Sequence, residues 1–183
     1  MPQKSRDTRS LMGGFNVFTE MEKAIHRGKA YSFSLSGTVV NGATHKEYLT
    51  FTTGDEQLHF HEIYGGFAQG GMYVTLYKDA VIDVPGSPVK PVNMNDASSN
   101  TALMTLYPDA TLSDLGTELP GRFYPETGHG VNVESASGSI AKGRVLAANT
   151  TYVIELYNAA TLGDTPFSLT FEGHESDIIL GDA

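Results

Sequence analysis

The stretch AYSFSLSG, residues 30–37, alternates large apolar side chains with small ones. Tyr31, Phe33 and Leu35 occupy one set of alternate positions, and alanine and three serines occupy the other. Successive side chains of a β-strand point to opposite faces, so a period of two predicts a strand with one buried face.

The same alternation returns along the chain between clusters of Gly, Pro, Asn and Asp. The further predicted strands are Tyr48–Thr52, Gln57–Tyr64, Met72–Tyr77, Thr101–Leu106, Arg144–Leu146, Thr151–Tyr157 and Pro166–Phe171. We expect Gly65 and Gly66 to end the strand Gln57–Tyr64. Short strands at this spacing predict an all-β protein with a single β-sandwich, jelly-roll-like domain. We place this domain at residues 24–174, between a short N-terminal arm, 1–23, and a C-terminal tail, 175–183.

The arm has no strand period, and it ends in a predicted turn of helix from Thr19 to His26. Thr19 is a suitable N-cap, and Glu22 three residues later completes a capping box. The arm also contains a short apolar cluster that includes Phe15 and Phe18. No apolar run of leader length follows its basic residues, and no stretch is long enough to span a bilayer.

Charge is divided unevenly between the two ends of the chain. Residues 1–30 contain six basic and three acidic groups, a local charge of +3, and the remainder contains six basic and eighteen acidic groups, or −12. An acidic body would repel phosphates, so we expect no nucleic-acid partner. The basic arm, with Lys4, Arg6 and Arg9, suits an acidic protein surface, although it equally suits a solvated, frayed terminus.

The residues that usually carry chemistry are sparse or scattered. There is no cysteine, and no Gly-x-Ser-x-Gly sequence, so the common nucleophile patterns are missing. His59 and His61 are two apart on a predicted strand and leave the same face, which suits two metal ligands, but nothing in the sequence fixes a third. We therefore expect no metal site, no cofactor and no enzymatic activity.

Two long connections, 84–100 and 114–142, are the predicted binding elements, because long ordered loops on a β scaffold commonly carry function. The chain also contains nine tyrosines and nine phenylalanines. An exposed tyrosine-rich face would suit a protein interface or a carbohydrate, and sequence does not separate the two.

Three segments carry a family resemblance: AIHRGKAYSF (24–33), VKPVNMNDASSNTA (89–102) and LAANTTYVI (146–154). In this order and spacing they resemble a family of small virion proteins of tailed bacteriophages, similar to capsid decoration, or cement, proteins. The resemblance covers residues 24–173. The middle segment departs from the family pattern, which often has basic residues where this chain has Met94 and Asp96.

The resemblance implies a jelly-roll-like homotrimer that folds in the host cytoplasm and binds the major capsid protein on the outer surface of the virion. Such a protein stabilises the head by bridging capsomers. The predicted contact residues are Lys4, Arg6, Arg9, Phe15, Phe18, Asn93, Asn95 and Asn100. The alternative is a receptor- or glycan-binding head of a tail or fibre, with Tyr107 and Tyr124 as candidate sugar contacts.

Overall fold

Two five-stranded antiparallel sheets pack against each other in the computed structural model, which describes residues 20–40, 46–67, 72–120, 144–158 and 163–176. Sheet A contains, in spatial order, β10 (Arg144–Leu146), β3 (Gln57–Phe67), β12 (Thr165–Ser176), β1 (Ala30–Val39) and β6 (Val92–Asn93). Sheet B contains β7 (Thr105–Tyr107), β2 (Lys46–Thr52), β11 (Thr151–Asn158), β4 (Met72–Lys78) and β9 (Thr117–Glu118). A separate ribbon pairs β5 (Val81–Val84) with β8 (Thr111–Asp114). The predicted all-β, sandwich-like fold is confirmed.

The core lies between the two sheets and is built from the alternate apolar residues of their strands. Phe33 stacks on Phe171 within sheet A, with ring centroids 4.6 Å apart. Across the sandwich, Phe51 of β2 lies 6.4 Å from Phe60 of β3, measured between ring centroids. The period of two predicts these positions correctly because one face of each strand is removed from water.

The chain passes from β10 of sheet A to β11 of sheet B through a corner that Tyr152 stabilises. Its fully buried ring lies in the core, and its hydroxyl accepts a 2.9 Å hydrogen bond from the backbone N–H of Ala147. A tyrosine that bonds back to the backbone just upstream is a known corner of Greek-key sandwiches. Asn149, in the same turn, adopts a positive φ of 49°. The LAANTTYVI segment therefore has a structural role at this corner.

Several predicted boundaries are wrong in detail. Gly65 and Gly66 do not end β3, because their backbones pair with Leu169 and Ser168 and the strand continues to Phe67. The strand predicted at Thr101–Leu106 is only Thr105–Tyr107. Four short strands, β5, β6, β8 and β9, were not predicted, because each is too short to show a period.

The single helix of the described residues, α1 (Glu20–His26), packs on strands β1 and β12. Its buried residue is Ala24, and the predicted arm boundary at residue 23 therefore falls inside the helix. The predicted tail boundary likewise falls inside β12, which runs to Ser176. Among the described residues, no helix is long and apolar enough to cross a membrane.

Candidate functional site

The C-terminal end of α1 is closed by Gly28, which has a φ of 67°. The N–H of Gly28 donates to Ile25 O at 2.9 Å, and the N–H of Lys29 donates to Ala24 O at 2.9 Å. This pair of bonds is the Schellman motif, in which glycine adopts the left-handed conformation at the end of a helix. It satisfies two of the carbonyls that the helix end leaves open.

The remaining carbonyls of this helix end are bound by the asparagines of the 84–100 loop. Asn93 Nδ2 donates to Gly28 O at 2.9 Å, and Asn100 Nδ2 donates to the carbonyls of Arg27 and Gly28, both at 3.3 Å. Asn95 Nδ2 reaches His26 O at 3.5 Å. We call this set of contacts the asparagine clamp, because it fastens α1 to the loop.

The same side chains also shape the loop itself. Asn93 Oδ1 accepts the N–H of Asn95 at 2.9 Å, and Asn95 Oδ1 accepts the N–H of Ala97 at 3.1 Å. These are Asx turns, in which a side chain replaces a backbone acceptor. Asn93, Asn95 and Asn100, which sequence marks as partner contacts, thus make internal hydrogen bonds, and their contact with a partner stays a prediction.

The loop instead presents valines to the solvent. Val84, Val89 and Val92 are exposed by 54%, 47% and 67% of their surface. Lys90, between the last two, turns its Nζ back to the carbonyls of Leu103 and Met104, both at 3.1 Å. The solvent-exposed surface of this loop is therefore more apolar than its sequence suggests.

Three histidines meet on the outer face of sheet A. His59 and His61 of β3 both contact His174 of β12, with ring centroids 4.6 Å and 4.8 Å apart. His61 Nε2 lies 2.7 Å from His174 Nδ1, a hydrogen bond in which one ring must donate and the other accept. The prediction that His59 and His61 share a face is confirmed, and their third partner is a histidine from the far end of the sequence.

A β-bulge at this point brings the cluster together. Strand β12 pairs Glu172 with Glu62 but Gly173 with Phe60, which leaves His61 as the extra residue of β3. A bulge bends its strand locally and redirects a side chain. Gly173 allows the close approach, since an added Cβ would lie 2.8 Å from His59 O.

The cluster is poorly solvated. His174 is only 7% exposed, and burial, followed by repulsion from His59 and His61, lowers its pKa to about 4. The Nε2 atom of His59 is buried and has no hydrogen-bond partner among the described residues. Burial and the two neighbouring histidines therefore favour the uncharged form of His174 at neutral pH.

Helix α1 borders a pocket of about 360 Å³ that reaches His174 of this cluster. The helix contributes Glu20 and Lys23 to the lining, Arg27 follows the helix, and β12 contributes His174 and Glu175. Glu175, predicted to be in the tail, is 4% exposed, and its carboxylate accepts the N–H groups of two residues. These donors are Leu103 at 3.0 Å and Met104 at 2.7 Å. Burial raises the pKa of Glu175, and these two bonds act in the opposite direction.

The outer face of sheet B has a different character. Lys46, Tyr157 and Tyr73 lie side by side in one row of the sheet, and the two tyrosine rings stack with centroids 5.8 Å apart. Lys46 Nζ bonds Glu155 Oε2 at 2.8 Å and lies 5.6 Å from the centre of the Tyr157 ring. This ion pair raises the pKa of Lys46. The row therefore places two stacked aromatic rings beside a charged pair.

The remaining sequence predictions divide between the described and undescribed residues. Lys4, Arg6, Arg9, Phe15 and Phe18 lie outside the described residues, as do Thr19, Tyr124 and most of the 114–142 connection. Tyr107 lies in β7 and is half-buried. In the described ranges, no group of three or more His, Asp or Glu is arranged to hold a metal ion.

Comparison with known proteins gives no identification. No protein-family model matches the chain, and no curated protein matches it. The residues that sequence reasoning missed are His174 and Glu175, since neither belongs to a motif and only the pairing of β12 with β3 brings His174 to the pair at 59 and 61.

Proposed function

We propose that this protein is a non-enzymatic capsid decoration protein, which binds the outer surface of a tailed-phage head through its arm and its 84–100 loop. One observation carries the proposal. The asparagine clamp fastens one predicted contact element, the 84–100 loop, to the carbonyls of residues 26–28, which follow the other predicted contact element, the arm 1–23, in the sequence. In the sequence the arm leads into the segment that the clamp holds beside a loop with exposed valines, and in this proposal the two elements contact the capsid together.

Charge supports the same proposal. The first thirty residues carry +3 and the rest of the chain carries −12, so a basic N-terminal segment precedes an acidic body in the sequence. Such a division favours an acidic partner for the N-terminal segment. Bridging between capsomers would need an interface of about 800 Å² per partner, and repetition over a lattice would strengthen modest contacts. A homotrimer at local three-fold positions is part of this proposal.

The test is binding to heads of a phage that encodes this chain, produced without it. In one variant Lys4, Arg6 and Arg9 are changed to Gln, which lowers the net charge by three. The matched control lowers the charge equally on the body, through Ser36→Asp, Thr111→Asp and Thr117→Asp, all at exposed positions. We expect the arm variant to lose at least tenfold in affinity at physiological salt and the control to bind as the wild type does. Equal binding by all three proteins would refute the role of the arm.

A second test addresses the loop. Val89→Ser and Val92→Ser change exposed side chains and leave the asparagine clamp in place. We expect weaker capsid binding with an unchanged melting temperature. Wild-type binding by the double variant would remove the loop from the interface.

The row of Lys46, Tyr157 and Tyr73 favours one other candidate function, a glycan-binding head. Aromatic rings beside a charged pair suit a sugar, whose apolar face stacks and whose hydroxyls bind the charges. The test is a glycan array with the wild type and Tyr157→Ala. A signal lost in the variant would favour this function, and silence across the array would exclude it for the glycans present.

A further inference from the structure

We propose that two copies of this chain pair with each other along the open edge of β1, as antiparallel strands related by a two-fold axis beside Ser36. The open edge consists of residues 33–39, the part of β1 that extends past β6. This contact concerns the free chain, and it does not depend on what the arm or the 84–100 loop binds.

Strand β1 has a partner along its whole length on one side only. Every residue of Ala30–Val39 pairs with β12. On the other side, β6 pairs with the second and third residues of β1. Just before β6, Pro91 has no N–H to donate, and Val89 pairs with β7 of sheet B instead. Within the described ranges, residues 33–39 therefore have no strand on their second side.

The backbone groups of this edge point away from β12 at every second residue. Lys29 O accepts the N–H of Glu175 in β12 at 3.0 Å. Ala30 O accepts the N–H of Met94, which follows β6, at 2.9 Å. Successive residues of a strand direct their N–H and C=O groups to its two sides in turn. The groups that point to the open side are therefore those of every second residue from Ala30 onward: Ser34, Ser36 and Thr38.

The edge lacks the features that commonly keep strand edges from pairing. Natural proteins protect such edges with charged side chains, proline or a β-bulge. Residues 30–40 (AYSFSLSGTVV) contain no charged residue and no proline, and the register of β1 with β12 has no shift. Strands at other borders of the two sheets do carry charge: Lys46 and Glu47 on β2, Glu118 on β9 and Arg144 on β10. An uncharged edge of seven residues is thus suited to pairing with another strand.

A second copy of the same edge fits it in length, hydrogen bonding and charge. With the two-fold axis beside Ser36, this residue lies opposite the partner's Ser36, and Ser34 lies opposite the partner's Thr38. The three resulting pairs would exchange about six N–H···O hydrogen bonds. The side chains at these positions are small, uncharged and exposed, so no large group or like charge opposes its copy across the axis.

The same register brings two exposed valines together at each end of the paired edge. Val40, directly after β1, is 44% exposed, and Val92 in β6 is 67% exposed. Val40 would lie opposite the partner's Ser32, and within each copy Ser32 pairs with Val92. Pairing would therefore remove from water apolar surface that the single chain exposes.

The contact should be weak, and it should strengthen with salt. Seven strand residues extend about 24 Å, and one such edge buries less than the ~800 Å² per partner of a standard interface. The chain beyond residue 30 carries −12, so two copies repel each other at long range. Added salt screens this repulsion and leaves the backbone hydrogen bonds in place.

Sedimentation velocity tests the pairing with the wild type and Ser36→Pro, at about 100 µM protein so that a weak contact is populated. Proline at this position removes an N–H that points to the open side, so the hydrogen bonds to β12 remain. The wild-type species should have twice the mass of the variant, whether the variant sediments as a monomer or as the proposed trimer. We expect the dissociation constant of the pair to rise at least tenfold in Ser36→Pro.

A charge substitution serves if Ser36→Pro fails to fold. Ser36→Asp places two like charges opposite each other at the axis and should also halve the mass. The matched control is Ser168→Asp, because Ser168 is the exposed neighbour of Ser36 on β12 and lies one strand away from the edge. This control should sediment as the wild type does.

Cysteine cross-linking tests the register, because the chain has no cysteine of its own. In Ser36→Cys the two Cα atoms at the axis would lie about 5.5 Å apart, within the range that a disulfide spans. In the control Ser168→Cys, three strand spacings would separate the two positions by about 14 Å. Mild oxidation should cross-link the first variant and leave the second as single chains.

Equal masses for the wild type and a folded Ser36→Pro would overturn the pairing, as would equal cross-linking of the two cysteine variants. The homotrimer of the proposed function would use a different surface, because a two-fold contact joins copies only in pairs. Capsid binding by a chain that does not pair would therefore refute this inference alone. Pairing by a chain that binds no capsid would refute the proposed function alone.

Discussion

Replacing His174 by Asn should change how the stability of the whole protein depends on pH. In the wild type, the native pKa of His174 is lowered to about 4 by burial and by its two histidine neighbours. In the unfolded chain the same group titrates near 6.5, so between these values the unfolded state binds a proton that the native state does not. Wild-type stability therefore falls as the pH drops through this window and levels off below pH 4.

The size of the stability loss follows from the native and unfolded pKa values of His174. The difference between 6.5 and about 4, at 1.36 kcal/mol for each pH unit, gives a total loss of about 3 kcal/mol. At pH 5 the expected loss relative to pH 7.5 is about 2 kcal/mol. His174→Asn lacks this contribution, so the stability difference between the two proteins should shift by these amounts.

The difference between the two proteins is the quantity to measure, because other groups also titrate in this range. Burial raises the pKa of Glu175, so that group stabilises the native state as the pH falls, opposite in sign to His174. Subtracting the stability curve of His174→Asn from that of the wild type removes the contribution of Glu175. Urea unfolding followed by far-UV circular dichroism at pH 7.5, 6, 5 and 4 gives the free energies. Parallel curves for the wild type and His174→Asn would refute the reasoning.

Three further substitutions test the structural elements. Gly28→Ala should lower the free energy of unfolding by about 1–3 kcal/mol, because alanine is strained at a positive φ and its Cβ would meet Ser98. Urea unfolding measures this loss, with His26→Ala as the control. Tyr152→Phe leaves the N–H of Ala147 without its acceptor and should cost about 1–3 kcal/mol, seen as a lower melting temperature; an unchanged value would remove the corner's role. Glu155→Gln should remove the ion pair with Lys46 and lower the pKa of that lysine toward its usual range, which NMR titration would detect.

The fold was predictable because the alternation in β1, β2 and β11 is long enough to mark a buried face. Strands β5, β6, β8 and β9 were not predicted, since their two or four residues contain too few positions to define a period. The glycines at 65 and 66 misled the prediction, because pairing with β12 outweighs the cost of glycine in a strand.

The candidate sites were predictable only in part. His59 and His61 are marked by their spacing, whereas His174 joins them through a strand pairing across more than a hundred residues and a bulge that no local pattern shows. The asparagines of the middle segment look like surface polar groups in sequence. Their partners, the carbonyls at the end of α1, are backbone atoms some seventy residues away, which side-chain patterns do not reveal.

The most direct test of the proposed decoration function is the number of copies of this chain in each purified virus particle. Quantitative mass spectrometry against the major capsid protein gives this ratio. The account predicts roughly one copy for every one to three capsid subunits, as a lattice-wide trimer requires. A few copies per particle, or none, would contradict it.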